Sequence, residues 1–246
     1  MDLKKIELNH ALTIGLIAGI VLLAGFIVFL VLQPASGNSV PMSMAFAAET
    51  HESIAAQLAT VQELEAAVAE VRPEMADRPQ KEQTQFEATE ILLISFREEL
   101  EWISARETAV FVQLEQSENP FETKELLETE AALFTLLGFV VQLNEAAAQR
   151  IDPSQKEAVL ESVDAVVNDI KAKELVSAEV AAQFASELGV DAAAIRTKSK
   201  EALADLLAYK KQVLVESAPG SMQQFVEAFK LSGWFFLLQT IETPVQ

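Results

Sequence analysis

Four glutamates, Glu98, Glu99, Glu101 and Glu107, fall close together, and oxygen donors at that density are what a cation site uses. A calcium loop, however, sets its oxygens on a turning backbone relieved by a glycine. These glutamates sit in a helical pattern interleaved with Arg97 and Arg106. Glutamate and arginine at such spacing pair along an exposed helix, so a salt-bridged surface face is expected there. Nucleophilic catalysis couples a serine or cysteine to a histidine base. The chain has no cysteine and two histidines, His10 and His51. The lack of cysteine removes disulfides, thiolate chemistry and Cys-ligated metals. His51 reads as a solvated helix residue. Trp102 with Arg97 nearby, and Trp234, are the remaining ligand-like features, because an arginine beside an aromatic can hold a carboxylate. A tryptophan on a helix more often fills a core. There is no HExxH, CxxCH, P-loop or GxGxxG pattern. The expectation is a protein that is not an enzyme and has no cofactor and no metal site. An enzyme would need a buried Glu or Asp pair in a cleft, with raised pKa.

The elements that would carry these residues are helical throughout. Alanine, glutamate, leucine and valine dominate a chain of 246 residues, half of it apolar. Such a composition favours helix, and no strand-like alternation is present. The first helix is expected from about Met42 to Arg72, with Ile54, Leu58, Val61, Leu64, Val68 and Val71 as its apolar stripe. Pro73 and Pro79 bracket a turn. A second helix follows from about Gln80 to Gln116, and the two form a long hairpin with coiled-coil-like packing. Asn119-Pro120 breaks the chain before a third helix, about Phe121 to Arg150. Within it Ala131–Val141 is apolar on all sides, the mark of a central, buried helix too short in that run to cross a membrane. Asp152-Pro153 opens a fourth helix striped by Val159, Val163, Val166, Val167 and Ile170. Ser177 caps a short fifth that ends at Gly189. A sixth runs from Asp191 to about Glu216, and a last from about Met222 to Ile241.

Ahead of these helices lies ALTIGLIAGIVLLAGFIVFLVL, residues 11–32, with no charge and no proline. Its 22 residues make a helix of roughly 33 Å, enough to cross the hydrocarbon core of a bilayer. Lys4 and Lys5 precede it, and no Lys or Arg follows until Arg72. The positive-inside rule then places the N-terminus in the cytoplasm and the bulk of the chain outside it. Ala45-Phe46-Ala47 is cleavage-site-like but lies far past the apolar run, so an uncleaved signal anchor is expected. The organisation reads as a cytoplasmic flank over 1–10, a transmembrane anchor over 11–33, a Pro/Gly/Ser linker over 34–41, and an acidic helical domain over 42–246. A sub-boundary is placed near 150–153. The fold class is all-α: one N-terminal transmembrane helix followed by an extracytoplasmic bundle of about six helices. The expected location is the inner (cytoplasmic) membrane, single-pass, with the bulk periplasmic or extracellular.

Two stretches read as contact surfaces. Ala11, Gly15 and Gly19 recur every four residues, and small residues on one face let another transmembrane helix approach closely. Trp234, Phe235, Phe236, Leu237 and Leu238 are five consecutive apolar residues, which cannot all face one side of a helix. Protein or lipid must cover the remainder, and Trp is enriched at membrane interfaces.

The net charge is −19. Residues 34–150 hold 21 acids against 7 bases and residues 151–246 hold 14 against 9, so the excess lies wholly beyond the anchor. Such a surface repels nucleic acid. The partners expected are other transmembrane subunits of a membrane complex and the bilayer itself through residues 11–33; homo-oligomerisation stays open. The leading expectation is a non-catalytic accessory subunit bracing a larger membrane complex on its extracytoplasmic side. The alternative is a ligand-binding or sensory module acting through a partner. The layout of one N-terminal span plus a helical bundle resembles bacterial chemoreceptor sensor domains, although no motif carries that resemblance.

Overall fold

The computed structural model describes residues 42–151 and 176–216. The proposed anchor with Ala11, Gly15 and Gly19, the linker, the Asp152-Pro153 helix and the Trp234–Leu238 segment lie outside the described residues. Five helices and no strand make up the described part: α1 (Met42–Met75), α2 (Gln80–Gln116), α3 (Pro120–Ile151), α4 (Ala178–Leu188) and α5 (Ala192–Glu216). The expected all-helical bundle is what they form.

Their ends follow local chemistry. Helix α1 continues through Pro73 and stops two residues later, so Pro73 belongs to the last turn of the helix and not to the loop. A proline there forfeits one backbone bond at a site where the helix is ending anyway. Gln83 then turns back to serve the loop, its Nε2 donating to Ala76 O at 3.1 Å and Arg78 O at 2.8 Å. Asn119 caps α3, accepting from Phe121 N on Oδ1 at 3.1 Å with Pro120 as first helical residue. Ser177 caps α4 by accepting from Val180 N, and Asp191 caps α5 by accepting from Ala193 N at 3.0 Å.

Helix α4 ends as the sequence leads one to expect, on Gly189 at φ 70°. Gly189 N and Val190 N both reach Ala185 O, which satisfies carbonyls the helix leaves open. A Cβ at Gly189 would meet open space, so the cost of adding one is conformational only. Gly189→Ala is therefore expected to cost about 1 kcal/mol, lowering the melting temperature by roughly 2–4 °C in a thermal scan. An unchanged melting temperature would mean that this cap does not hold the α4–α5 corner.

Helices α1 and α2 run antiparallel, as shown by Arg97 bonded to Glu65 near their middle and His51 bonded to Glu107 near one end. Helix α2 is likewise antiparallel to α3, and α5 runs alongside α3 in the same direction. Helix α2 packs between α1 and α3, α3 packs between α2 and α5, and α4 closes one end against α5 and α1.

The core has two parts. The larger joins Ile54, Val61 and Val68 of α1 to Leu93, Phe96 and Leu100 of α2, Leu136 and Leu137 of α3, and Leu206 of α5. The smaller sits at the α4 end, where Phe46, Phe134 and Phe184 pack edge to face with centroids 5.6–6.0 Å apart. The expected apolar stretch Ala131–Val141 is buried along nearly its whole length. Among the described residues, Pro120–Asn144 is the helix long and apolar enough to cross a membrane, but 72% of its most apolar window is buried in the bundle. That burial is the mark of a core helix.

The seam between α1 and α2 is a heptad seam. Ala47, Ile54, Val61, Val68 and Met75 are all buried and all seven residues apart. On α2 the matching row is Leu93, Leu100, Glu107 and Leu114, again seven apart and buried. A glutamate thus occupies a position that the repeat reserves for an apolar side chain.

A candidate functional site built from buried charges

Glu107 is one of several ionisable groups in the interior. Glu99, Glu107 and Glu130 are each 0% exposed, and Lys210 is nearly so. This corrects the expectation for the Glu98–Glu107 stretch. Glu101 does lie on the surface with Arg97, 2.9 Å away, and Arg97 also reaches Glu65. Glu98 is partly buried, which raises its carboxyl above the usual range against the pull of Lys210 and Arg97. Glu99 and Glu107 face inward. The reason is partner supply: Lys210 and His51, far away in the sequence, come to them.

The first buried layer centres on Glu99. Lys210 of α5 bonds its Oε1, and Asn144 Nδ2 of α3 donates to its Oε2 at 2.6 Å. Ser95, one turn earlier on α2, accepts from Lys210 Nζ at 2.5 Å. Three helices therefore meet on one carboxylate. An ion pair so placed loses hydration on both partners, and the hydrogen bonds from Ser95 and Asn144 are what make the layer tolerable. Serine beside lysine is also a nucleophile–base combination. Here both are buried and the lysine is held by a carboxylate, so no substrate carbonyl can approach the hydroxyl.

The second layer centres on Glu107, two turns nearer the α4 end. His51 Nδ1 of α1 lies 2.8 Å from Glu107 Oε2 and 3.1 Å from Oε1, and the imidazole stacks on Phe111 at 4.9 Å. The sequence reading of His51 as a solvated helix residue is thus corrected: it is half-buried and committed to a core carboxylate. Burial raises the Glu107 carboxyl, and the His51 and Thr108 contacts pull it back down without cancelling the effect.

Glu130 of α3 lies within electrostatic reach of Glu107 and has no such help. Neither of its carboxyl oxygens has a hydrogen-bond partner among the described residues. Burial first, and the nearby Glu107 charge second, push its pKa up to about 9. A buried carboxyl with no partner keeps its proton, because the charged form would lose hydration and gain nothing.

A third, peripheral layer ties α5 to α3. Lys198 Nζ donates to Glu125 O at 2.7 Å and to Thr129 Oγ1 at 3.0 Å, with Glu128 3.7 Å away. Glu128 in turn accepts from Asp191 N.

The expected aromatic ligand feature has another role. Trp102 is buried, and the cation over its ring is Arg106, 3.4 Å from the centroid, whereas Arg97 is occupied by Glu65 and Glu101. No three His, Asp or Glu side chains among the described residues are gathered as metal ligands.

The comparisons with known proteins add nothing to this geometry. No family model matches the chain, and no match appears among curated proteins or solved structures.

Glu99, Lys210, Glu130 and Asn144 were not singled out as inward-facing in the sequence, yet a signal for several of them exists. Glu107 completes the row Leu93, Leu100, Leu114, while Glu130 and Asn144 flank Leu137 at seven-residue spacing on α3. A polar residue in register with buried leucines is the sign. Lys210 likewise follows buried Leu203 by seven residues, but its pairing with Glu99, 111 residues away, carries no mark in the sequence.

Proposed function

We propose that this chain is a non-catalytic, single-pass, membrane-anchored subunit that packs against and braces a larger membrane protein complex on the extracytoplasmic side. The observation that carries the reading is the uncharged run Ala11–Leu32, with Lys4 and Lys5 before it and no further basic residue until Arg72. It would tether the bundle in the inner membrane with its bulk in the periplasm or outside the cell. The Ala11, Gly15 and Gly19 face would take neighbouring transmembrane helices, and Trp234–Leu238 would dock on a partner or the membrane surface.

The buried carboxylates support a structural role over a catalytic one. A pair with raised pKa is what an acid–base enzyme would use, and Glu107 with Glu130 is such a pair. Both are closed off from solvent in the described bundle, which favours a structural role. The acidic surface speaks against nucleic acid as a partner.

Purification from native membranes in mild detergent, followed by mass spectrometry, tests the proposal. A stoichiometric membrane-protein partner is expected, and Gly15→Ile with Gly19→Ile should reduce its recovery. A lone monomer without a stoichiometric partner would overturn the reading.

The orphaned polar atoms inside the bundle favour one second reading, a sensory module that binds a ligand and signals through a partner. Besides Glu130, the side-chain oxygens of Ser53, Gln57 and Asn144 are buried without a hydrogen-bond partner among the described residues. Convergent polar groups in an internal pocket are what such a module needs. A ligand screen that finds no thermal shift would count against it.

A further inference from the structure

Glu130 is the buried group that nothing above puts to use. Its surroundings define what can act on it. From α2 comes Glu107, and behind Glu107 the His51 ring of α1. From this stretch of α5 the cations are half-buried Arg196 and Lys198, the latter committed to Glu125 O, Thr129 and Glu128 on α3. The acids of α4, Glu179 and Glu187, are exposed. The neighbour that sets the state of Glu130 is therefore an acid, and the single histidine of the layer is already spent on that acid.

Geometry makes this arrangement two-state. Glu130 lies in register with Leu137 on the face of α3 that meets α2, next to Ala131 and Phe134 of the aromatic end of the core. Held neutral, it is a polar but uncharged filler of that seam. Ionised, it would place a second negative charge beside Glu107 in a buried site where no described group donates a hydrogen bond to it, and withdrawing α3 from α2 would relieve this.

We propose that the Glu107–Glu130 pair, with His51, is a proton-linked latch that keeps the α4-side end of α3 docked on α2 while Glu130 is protonated and loosens it when that proton leaves. The ligand of the site is thus a proton. The sign of the linkage follows from the raised pKa. Glu130 in an unfolded or opened chain titrates near the ordinary value of 4.5 and in the closed bundle near 9. Its contribution to the closed state is complete below about pH 4.5 and fades as pH rises through 9. The device goes beyond bracing a complex and does not depend on the membrane anchor.

The test is the full chain in detergent micelles, with melting temperature followed from pH 6 to 9 for the native protein, Glu130→Gln and Glu130→Met. The native melting temperature is expected to fall across that range by at least ~5 °C more than that of Glu130→Gln, which carries no titrating proton at the site. Amide exchange along residues 127–137 should quicken with pH beyond the intrinsic chemical rate in the native chain and not in the variant. Equal pH slopes for the native protein and Glu130→Gln would overturn the latch. Should both variants fail to fold, infrared spectra of the native chain decide: a protonated-carboxyl band at pH 7 that disappears above pH 9 supports the proposal, and its absence at pH 7 overturns it.

Discussion

Replacing Lys210 by methionine is expected to destabilise the bundle by about 3–5 kcal/mol, because it removes the cation that pairs with the fully buried Glu99 carboxyl. Methionine roughly matches the length of the lysine stem, so the loss is electrostatic and not a cavity. Denaturant titration followed by circular dichroism measures it. The companion experiment is the double variant Lys210→Met with Glu99→Leu, which removes both charges together. A buried ion pair replaced whole by apolar groups is often neutral or even stabilising, so the double variant should regain most of what the single one loses. The bonds of Ser95 and Asn144 to the pair are lost with it and contribute to the remaining deficit. A single variant as stable as the native protein would show that water reaches Glu99, contrary to its complete burial.

Phe134→Ala is the second large effect. Phe134 stands between Phe46 of α1 and Phe184 of α4, with centroid distances of 5.7 and 6.0 Å and interplanar angles of 65° and 85°. Truncating a buried phenylalanine costs about 3–5 kcal/mol through lost transfer energy and the cavity left behind. The edge-to-face contacts add roughly 0.5–1.5 kcal/mol for each pair. Helix α4 has 11 residues, too few to be stable without packing, and Phe184 is one of its two buried side chains. Hydrogen exchange should therefore report the loss first in α4, ahead of the α1–α2 hairpin. Phe121→Ala supplies the contrast. That ring is 83% exposed at the start of α3, and its removal should change stability by no more than about 0.5 kcal/mol. Equal effects at the two positions would contradict the placement of the aromatic cluster.

The two effects differ in kind, one electrostatic and one of apolar packing, because the apolar core is interrupted by a few buried polar layers. Along α3 the order is Glu130, then Phe134 of the aromatic cluster, then Asn144 of the Glu99 layer. Buried polar residues at seam positions lower stability but fix register, since a slip of one turn would leave each of them facing leucine. Glu99 with Asn144 and Lys210, and Glu107 with His51, hold α1, α2, α3 and α5 in one relative alignment.

Periodicity and punctuation alone determined the five described helices. The range of α2, the start of α3 after Asn119, the Ser177 cap and the Gly189 stop are all local, because a cap or an αL glycine acts over four or five residues. Helix α1 ran slightly past the expected end because Pro73 is tolerated in a last turn. The burial of Ala131–Val141 was also legible, since a helix apolar on every side has no face to give to water. The direction of the charges was not. Glu98, Glu99 and Glu101 have the same side chain and similar neighbours along the helix, and adjacent positions on α2 turn by about 100°. Whether a given glutamate meets water, Arg97 or Lys210 depends on which helix is brought against that face. Only the tertiary structure decides that, by carrying Lys210 across 111 residues to Glu99 and His51 across 56 to Glu107, and by bringing Glu130 no hydrogen-bond partner among the described residues.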